Sequence, residues 1–245
     1  MKRTNKSIVA TTWFDRHEKI DRYFQYANVW RKSAHSVFGE SVKIIEVPTD
    51  PPDFSQPCPV FRRGERKIGK SKTLSWLEKI KQWNSVIGQL PLGAPIIMTD
   101  IDVMFFSNPF EDLKLFDFDI GICGNNTGAV YFSGSEKSHR FMRQWFVATS
   151  RLFNNKDLYK RYDKKYKGLD QASMGYLLES GEHDATVIQL PRRFHSTVEF
   201  YELPCHIMHY HSKLRAVVFG DKSPKILPDR IVSYADAWKM LNAAI

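Results

Sequence analysis

Cysteine is scarce in this chain. The three present, Cys58, Cys123 and Cys205, are far apart and odd in number. That pattern excludes a disulfide framework and a zinc-ligand cluster, and it favours a reducing compartment. Long apolar runs are missing as well, since none approaches the ~18 residues that a membrane-spanning helix needs. The opening MKRTNKSIVATTWF has a basic start, but its short apolar stretch runs straight into Asp15, Arg16 and His17. No secretion leader is therefore expected, and the expected location is cytoplasmic. Internal repeats and low-complexity tracts are also lacking. With 42% hydrophobic, 13% aromatic and 26% charged residues, disorder, collagen and coiled coil are excluded as descriptions of the whole chain.

What remains is a globular composition of 245 residues, enough for one large domain. Its charge is lopsided, with 36 Lys+Arg against 27 Asp+Glu and a formal net charge of +9. Such a balance favours a polyanionic partner: nucleic acid, an anionic membrane face or a phosphorylated substrate.

Strand-like and helix-like stretches alternate. Ser7 to Phe14 is rich in β-branched and aromatic residues and reads as a strand. Asp15 can cap a helix running to about Phe38, where Gly39 ends it. Val42 to Val47 reads as a second strand, and the five prolines between Pro48 and Pro59 predict a loop. Trp76, Ile80, Trp83 and Ile87 share one face of a helix over about Lys72 to Leu90. Ala94 to Met98 is continuously apolar, as a strand buried on both faces would be. Strands follow near Asp119 to Cys123, Gly128 to Phe132 and Ala185 to Leu190. Helices are expected at Glu136 to Phe153, with Phe141, Trp145 and Thr149 in one stripe, and near Asp170 to Leu178. Tyr234 to Ile245 reads as a docking helix. This alternation predicts an α/β fold, a mostly parallel central sheet flanked by helices, with ligands bound past the carboxyl ends of the strands.

Just past the third strand-like run, APIIM, stand Asp100 and Asp102 in a D-x-D. The pattern alone is common, and the chain holds a second, Asp117-Phe118-Asp119. Context separates the two. The first follows a buried strand, where ligands go. The second precedes a strand, where turn residues go. Downstream come ICGNNTGAVYFSGSE, LDQASMGYLL and MHYHSKLR.

That ordered series resembles the glycosyltransferase A fold, and within it the nucleotide-diphospho-sugar transferases of the family 8 and family 77 type. The resemblance spans about Ser7 to Arg215. It implies a single domain with a nucleotide-sugar-binding half over 1–123, an acceptor-side half over 124–230 and a C-terminal docking helix over 231–245. It also implies a divalent cation, Mn²⁺ or Mg²⁺, at Asp100, Asp102 and a late histidine. The cation would act as a Lewis acid on the departing diphosphate. His209 fits the family spacing, with Arg215 where the family has a diphosphate-binding Lys and Ser212 where it has Gly. His211 falls on the same side by strand alternation and stays open as the ligand. Asn126, Asp170 and Gln171 are implied beside the transferred sugar, and Asp170 is the one candidate for an inverting base. Thr11 and Thr12 are implied at the base and ribose, and Lys72 matches a donor-contacting position loosely. The implied donor is a UDP-sugar, and the implied outcome is retention of configuration.

Two basic stretches remain. Arg62 to Lys72 has six basic residues and one acidic, and Arg151 to Lys167 has seven and two. The second interleaves Tyr159, Tyr162 and Tyr166. Cations for phosphates and rings for bases suit nucleic acid. Arg151, Lys160, Arg161, Lys164 and Lys165 are therefore expected at the acceptor, with hydroxymethylated DNA as the specific expectation. A phage enzyme acting in its host's cytoplasm would have that role. The rival acceptor is a polysaccharide or lipid-linked glycan, with the cations meeting lipid phosphates. A sugar nucleotidyltransferase ranks lower, because TTWFDRHEK has no glycine-rich phosphate loop. An inactive nucleotide-sugar-binding module is disfavoured by the retained Asp100, Asp102 and His209.

Overall fold

The computed structural model describes residues 6–14, 20–53, 55, 58, 62–63, 66–67 and 69–243. Asp15, expected as a helix cap, lies outside the described residues. In chain order the elements are β1 (Ile8–Phe14), α1 (Ile20–Phe38), β2 (Lys43–Thr49), β3 (Arg62–Arg63), β4 (Arg66–Lys67), α2 (Lys70–Gly88), β5 (Ile96–Thr99) and β6 (Val103–Phe105). Then come α3 (Phe110–Leu113), β7 (Ile120–Cys123), β8 (Asn126–Phe132), α4 (Glu136–Asn154), α5 (Lys156–Tyr166) and α6 (Leu169–Ser180). The chain continues through β9 (Val187–Gln189), β10 (Ile207–His209), α7 (Ser212–Val218) and α8 (Asp229–Ala243).

Six strands form the central sheet in the order β2-β1-β5-β8-β7-β9. Only β8 runs against the others: β1 pairs parallel with β2 and β5, β7 pairs parallel with β9, and β8 is antiparallel to both neighbours. The expected mostly parallel α/β sheet is what forms. Side chains alternate across it as a two-residue period requires. Val9 and Ile97 join one apolar cluster with Trp30, Phe38 and Trp238, while Ile8, Ala10, Ile96 and Met98 join another with Trp83, Phe141 and Trp145. Thus α1 and α8 cover one face, and α2 and α4 cover the other.

One expected boundary moves, and two features were not foreseen. The loop expected from Pro48 starts later, because β2 runs through Pro48 to Thr49. As the sheet's outermost strand, β2 can carry a proline whose missing N–H costs no ladder bond. The basic stretch after Arg151 is ordered as the end of α4 and the whole of α5. A second small sheet also exists, in which β10 pairs antiparallel with β6 and sets His209 opposite Val103. Both strands are three residues long, too short to leave a periodic signature.

Among the described residues, no helix is long and apolar enough to cross a membrane.

Candidate active site: an aspartate and histidine cluster in a cleft

The cleft opens past the carboxyl ends of β1 and β5 and has a volume of about 470 Å³. Backbone pairing fixes its acidic floor. The Asp100 N–H donates to the Gly128 carbonyl at 2.8 Å, and the Tyr210 N–H donates to the Asp102 carbonyl at 2.7 Å. The β6–β10 register then brings His209 beside Asp102. His209 Nε2 lies 3.0 Å from Asp102 Oδ1 and 3.8 Å from Asp100 Oδ2. Among the described residues, Asp100, Asp102 and His209 are the group that could hold a metal ion, each offering a ligand atom within 4.8 Å of the others. Octahedral coordination at about 2.1 Å places neighbouring ligand atoms about 3 Å apart and opposite ones about 4.2 Å apart, so a small inward shift completes the set. Two carboxylate oxygens and one imidazole suit Mn²⁺ or Mg²⁺. His211 caps α7 and stands edge-on to His209, with ring centroids 4.6 Å apart. It lies outside this group. Burial, reinforced by the nearby His209, pushes the His211 pKa down to about 4.

Gly128 explains part of the Asn-Thr-Gly segment. A methyl group at 128 would overlap the His209 ring, so only glycine leaves the imidazole its place. Asn126 Oδ1 accepts from the Gly128 N–H at 2.8 Å, which shapes this turn into β8.

Lys79 is the functional side chain that motif spacing misses. Its ammonium reaches Asp100 Oδ1 at 2.7 Å, Asp170 Oδ2 at 3.0 Å and the Thr127 carbonyl at 3.1 Å. A signal was present: Lys79 adjoins Ile80 between Trp76 and Trp83, a cation beside an apolar stripe. Burial alone would lower its pKa, but Asp100 and Asp170 outweigh that and hold it above the ordinary lysine value. Asp170 shows the reciprocal effect. Burial would raise it, and Lys79 together with the Thr127 hydroxyl, 2.8 Å away, hold it below the usual range. The start of α6, which carries Asp170, is anchored by Trp145. The indole N–H donates to the Asp170 carbonyl at 3.2 Å and to Ser173 Oγ at 3.0 Å.

The two metal-binding candidates split. Burial and the neighbouring Asp102 charge raise Asp100, while for Asp102 burial is overcome by His209, Arg215 and His211, which hold it low. Arg215 is ion-paired to Asp102 Oδ2 and lies over the Tyr26 ring, 5.8 Å from its centroid. Three carboxylates (Asp100, Asp102, Asp170) thus face two fixed cations (Lys79, Arg215). One divalent ion would turn a net negative cluster positive, the sign that receives a diphosphate.

Thr12, Lys72, Asn126, Asp170, Gln171 and Arg215 all line the cleft. Thr11 does not: it is fully buried, and its hydroxyl donates to the Thr99 carbonyl at 2.9 Å inside the sheet. Strand alternation turns Thr11 away, so its expected ribose contact is withdrawn. Lys72 Nζ lies 5.1 Å from the centroid of Trp76. The expected acceptor cations stand apart from the cleft floor on α4 and α5. Lys160, Arg161 and Lys164 are exposed. Arg151 pairs with Glu182 at 2.8 Å, and Lys165 pairs with Glu179 at 2.5 Å. Tyr159 and Tyr162 are buried against α6, so the expected stacking of these rings on bases is withdrawn.

Residues 83–217 match the model of the nucleotide-diphospho-sugar transferase family, more than half of the chain and every cleft motif from Asp100 to Arg215. The chain belongs to this family. Lys79 stands outside the matched span. Solved structures agree on the fold. Galactosyltransferase LgtC, in complex with donor and acceptor sugar analogs, superposes with a TM-score of 0.56 at 13% identity, over 97% of this chain and 96% of that one. Glycosyltransferase GlyE of Streptococcus pneumoniae TIGR4 gives 0.56 at 14% identity, over 97% of this transferase and 63% of GlyE. A glycosyltransferase involved in glycosylation of the major capsid of PBCV-1 gives 0.56 at 10% identity, over 86% and 96%. No curated protein matches the sequence. The transferase therefore has the glycosyltransferase A fold and is a glycosyltransferase.

Proposed function

We propose that the transferase moves a sugar from a UDP-sugar to an acceptor hydroxyl, with Mn²⁺ or Mg²⁺ held by Asp100, Asp102 and His209. The observation that carries this reading is the convergence of those three ligand atoms within 4.8 Å in a cleft that also presents Lys79 and Arg215. A bound cation would supply Lewis-acid stabilisation to the diphosphate as the glycosidic bond breaks. Arg215 would exchange its contact with Asp102 for the diphosphate, which its planar fork can grip. Thr12 and Lys72 contact the donor; Asn126, Asp170 and Gln171 contact the sugar. Configuration is retained in this reading. Asp170 is engaged by Lys79 and Thr127 and held acidic, which disfavours it as an inverting base.

For the acceptor we propose a polyanion, with hydroxymethylated DNA as the case to test. Support comes from the packing of β3 against α5, which brings the two basic stretches together. Lys160, Arg161 and Lys164 are exposed on α5, as is Lys165, and Arg151 is exposed near the end of α4. Recognition would run through phosphates, and the target base would be flipped out to reach the donor. The test is transfer of label from UDP-sugars, with Mn²⁺, to hydroxymethylated duplex DNA and, in parallel, to polysaccharide and lipid-linked acceptors. Label on DNA with salt-sensitive binding supports the DNA acceptor. Label only on a glycan, with flotation on anionic liposomes, replaces it with the glycan-extending reading. Donor hydrolysis or transfer undiminished by chelation would remove the metal from the reaction.

A further inference from the structure

His195 follows the short 3-10 turn Arg192–Phe194 and is 1% exposed. Its segment is stitched to β10: Ser196 bridges Met208, and the His209 N–H donates to the Ser196 carbonyl at 2.9 Å. The two imidazoles lie nearly parallel, 24° apart with centroids separated by 5.2 Å. His195 Nε2 is 3.2 Å from His209 Nδ1. The other ring nitrogen, His195 Nδ1, is buried with no hydrogen-bond partner among the described residues. A fully buried histidine thus directs its one ring hydrogen bond at the back of a histidine that offers its front to the acidic cluster.

We infer that His195 is a positioning residue, which holds the His209 imidazole in the tautomer and orientation that bind the cation. The inference rests on the metal-dependent reading above. To ligate through Nε2, a neutral His209 must carry its proton on Nδ1, and in a buried site that N–H needs an acceptor. His195 Nε2 is that acceptor. Its own proton then sits on Nδ1, which has no hydrogen-bond partner among the described residues in either state. With no cation, His209 Nε2–H donates to Asp102 Oδ1, and His209 Nδ1 accepts from His195 Nε2–H. Loading therefore reverses the hydrogen bond between the rings, and each ring changes tautomer without a change in its charge. Only a side chain able both to donate and to accept serves both states. An apolar ring of similar size would leave His209 Nδ1 without a partner in both states and remove the contact that orients the imidazole toward the cation, so it weakens cation binding. Partners of metal-ligating histidines typically account for 10- to 100-fold in metal affinity.

The experiment is Mn²⁺ titration of the full-length chain, with and without UDP, read from the EPR signal of free Mn²⁺. Melting curves without metal confirm that each variant folds. His195→Phe should bind Mn²⁺ about 10- to 100-fold more weakly than wild type. His195→Gln, whose amide can donate or accept near the Nε2 position, should recover most of that loss. Equal affinity in folded wild type and His195→Phe would overturn the role of His195 and leave the metal reading standing. No binding by wild type in either condition would overturn both. If His195→Phe does not fold, ¹⁵N shifts of the wild-type rings with saturating Mg²⁺ decide the matter. Protons on Nδ1 of both His209 and His195 are expected, and a proton on His195 Nε2 would overturn the proposal.

Discussion

Two aspartate pairs of the same spacing serve opposite ends of the sheet. Asp100 and Asp102 follow β5 and face Lys79, His209 and Arg215. Asp117 and Asp119 precede β7. There Asp119 accepts from the Ser135 hydroxyl at 2.5 Å and from the Thr186 N–H at 2.8 Å, and Ser135 in turn accepts from the Ser138 N–H at the start of α4. One pair gathers cations and the other ties a helix cap to a strand. Place relative to the strand end, rather than the motif, decides the use of a carboxylate.

The comparison breaks most sharply under alanine. Asp102→Ala should lower kcat by about 10²- to 10³-fold, the scale on which transition-state charge stabilisation is lost, and should abolish Mn²⁺ binding while circular dichroism stays unchanged. Asp119→Ala should leave transfer per folded molecule within about twofold. It should cost about 1 kcal/mol of stability, the worth of a partly exposed hydrogen bond, read as a drop of about 2–4 °C in Tm. If Asp119→Ala loses transfer and Asp102→Ala keeps it, the assignment of the two pairs is reversed.

Lys79→Met sharpens the contrast through stability. Removing the cation between Asp100 and Asp170 leaves the buried Asp170 uncompensated beside a half-buried Asp100, and stranding a buried charge typically costs about 3–5 kcal/mol. Urea unfolding should show a loss on that scale. A loss below about 1 kcal/mol would mean that solvent screens the pair.

Gly128→Ala tests the space left for His209. A methyl that overlaps the imidazole must displace it, so Mn²⁺ affinity should fall about 10- to 100-fold, like the loss of an orienting partner. Unchanged affinity would show that the ring has room to move.

Much of this was legible in the sequence, for physical reasons that can be named. APIIM reads as a buried strand because both faces of β5 are covered, and the Trp76–Ile87 stripe reads as a helix because Ile80, Trp83 and Ile87 pack on the sheet while Trp76 packs against α5 and α6. Asp102 and His209 were legible as a pair only through the ordered motifs of the family. Their contact depends on the β6–β10 register, made by strands too short for periodicity to register. Thr11 was misplaced because the alternation that puts Thr12 in the cleft was not applied to its neighbour. Lys79 and His195 escaped because each acts through tertiary contacts with residues distant in sequence. The burial of Tyr159 and Tyr162 also depended on tertiary packing, here of α5 on α6.

Acid should separate Asp170 from the surface carboxylates. Its folded pKa lies below the ordinary aspartate range because Lys79 and Thr127 overcome burial. A depressed carboxylate contributes stability that is present above the unfolded pKa and lost as pH falls through the folded one. Metal-free protein should therefore lose stability progressively below about pH 4, and Asp170→Asn should flatten that slope in urea melts taken from pH 5 downwards. An unchanged slope in Asp170→Asn would place the acid sensitivity elsewhere.

The smallest expected effect concerns backbone strain, and it divides the same two regions. Beside Ser135 the chain turns at Gly134, φ +83°, where an added Cβ would also strike the Ala94 backbone. Beside His209 the comparable left-handed turn falls on Ser212, φ +55°, the position where the resembled family has glycine. Among the described residues the non-glycine residues with positive φ are Ser212 and Lys167, and both line the cleft. Strain kept at a site rather than at a cap suggests that the Ser212 side chain, or the stiffness it imposes, has a use there. A non-glycine residue in this region costs about 1–2 kcal/mol, while glycine gives back about 0.4–1 kcal/mol through the freer unfolded chain. Ser212→Gly should therefore raise stability by about 0.5 kcal/mol net, read as a small upward shift in the urea midpoint. If transfer falls while stability rises, the strained serine serves the reaction. If both stay level, the turn carries no strain and the contrast with Gly134 is only one of sequence.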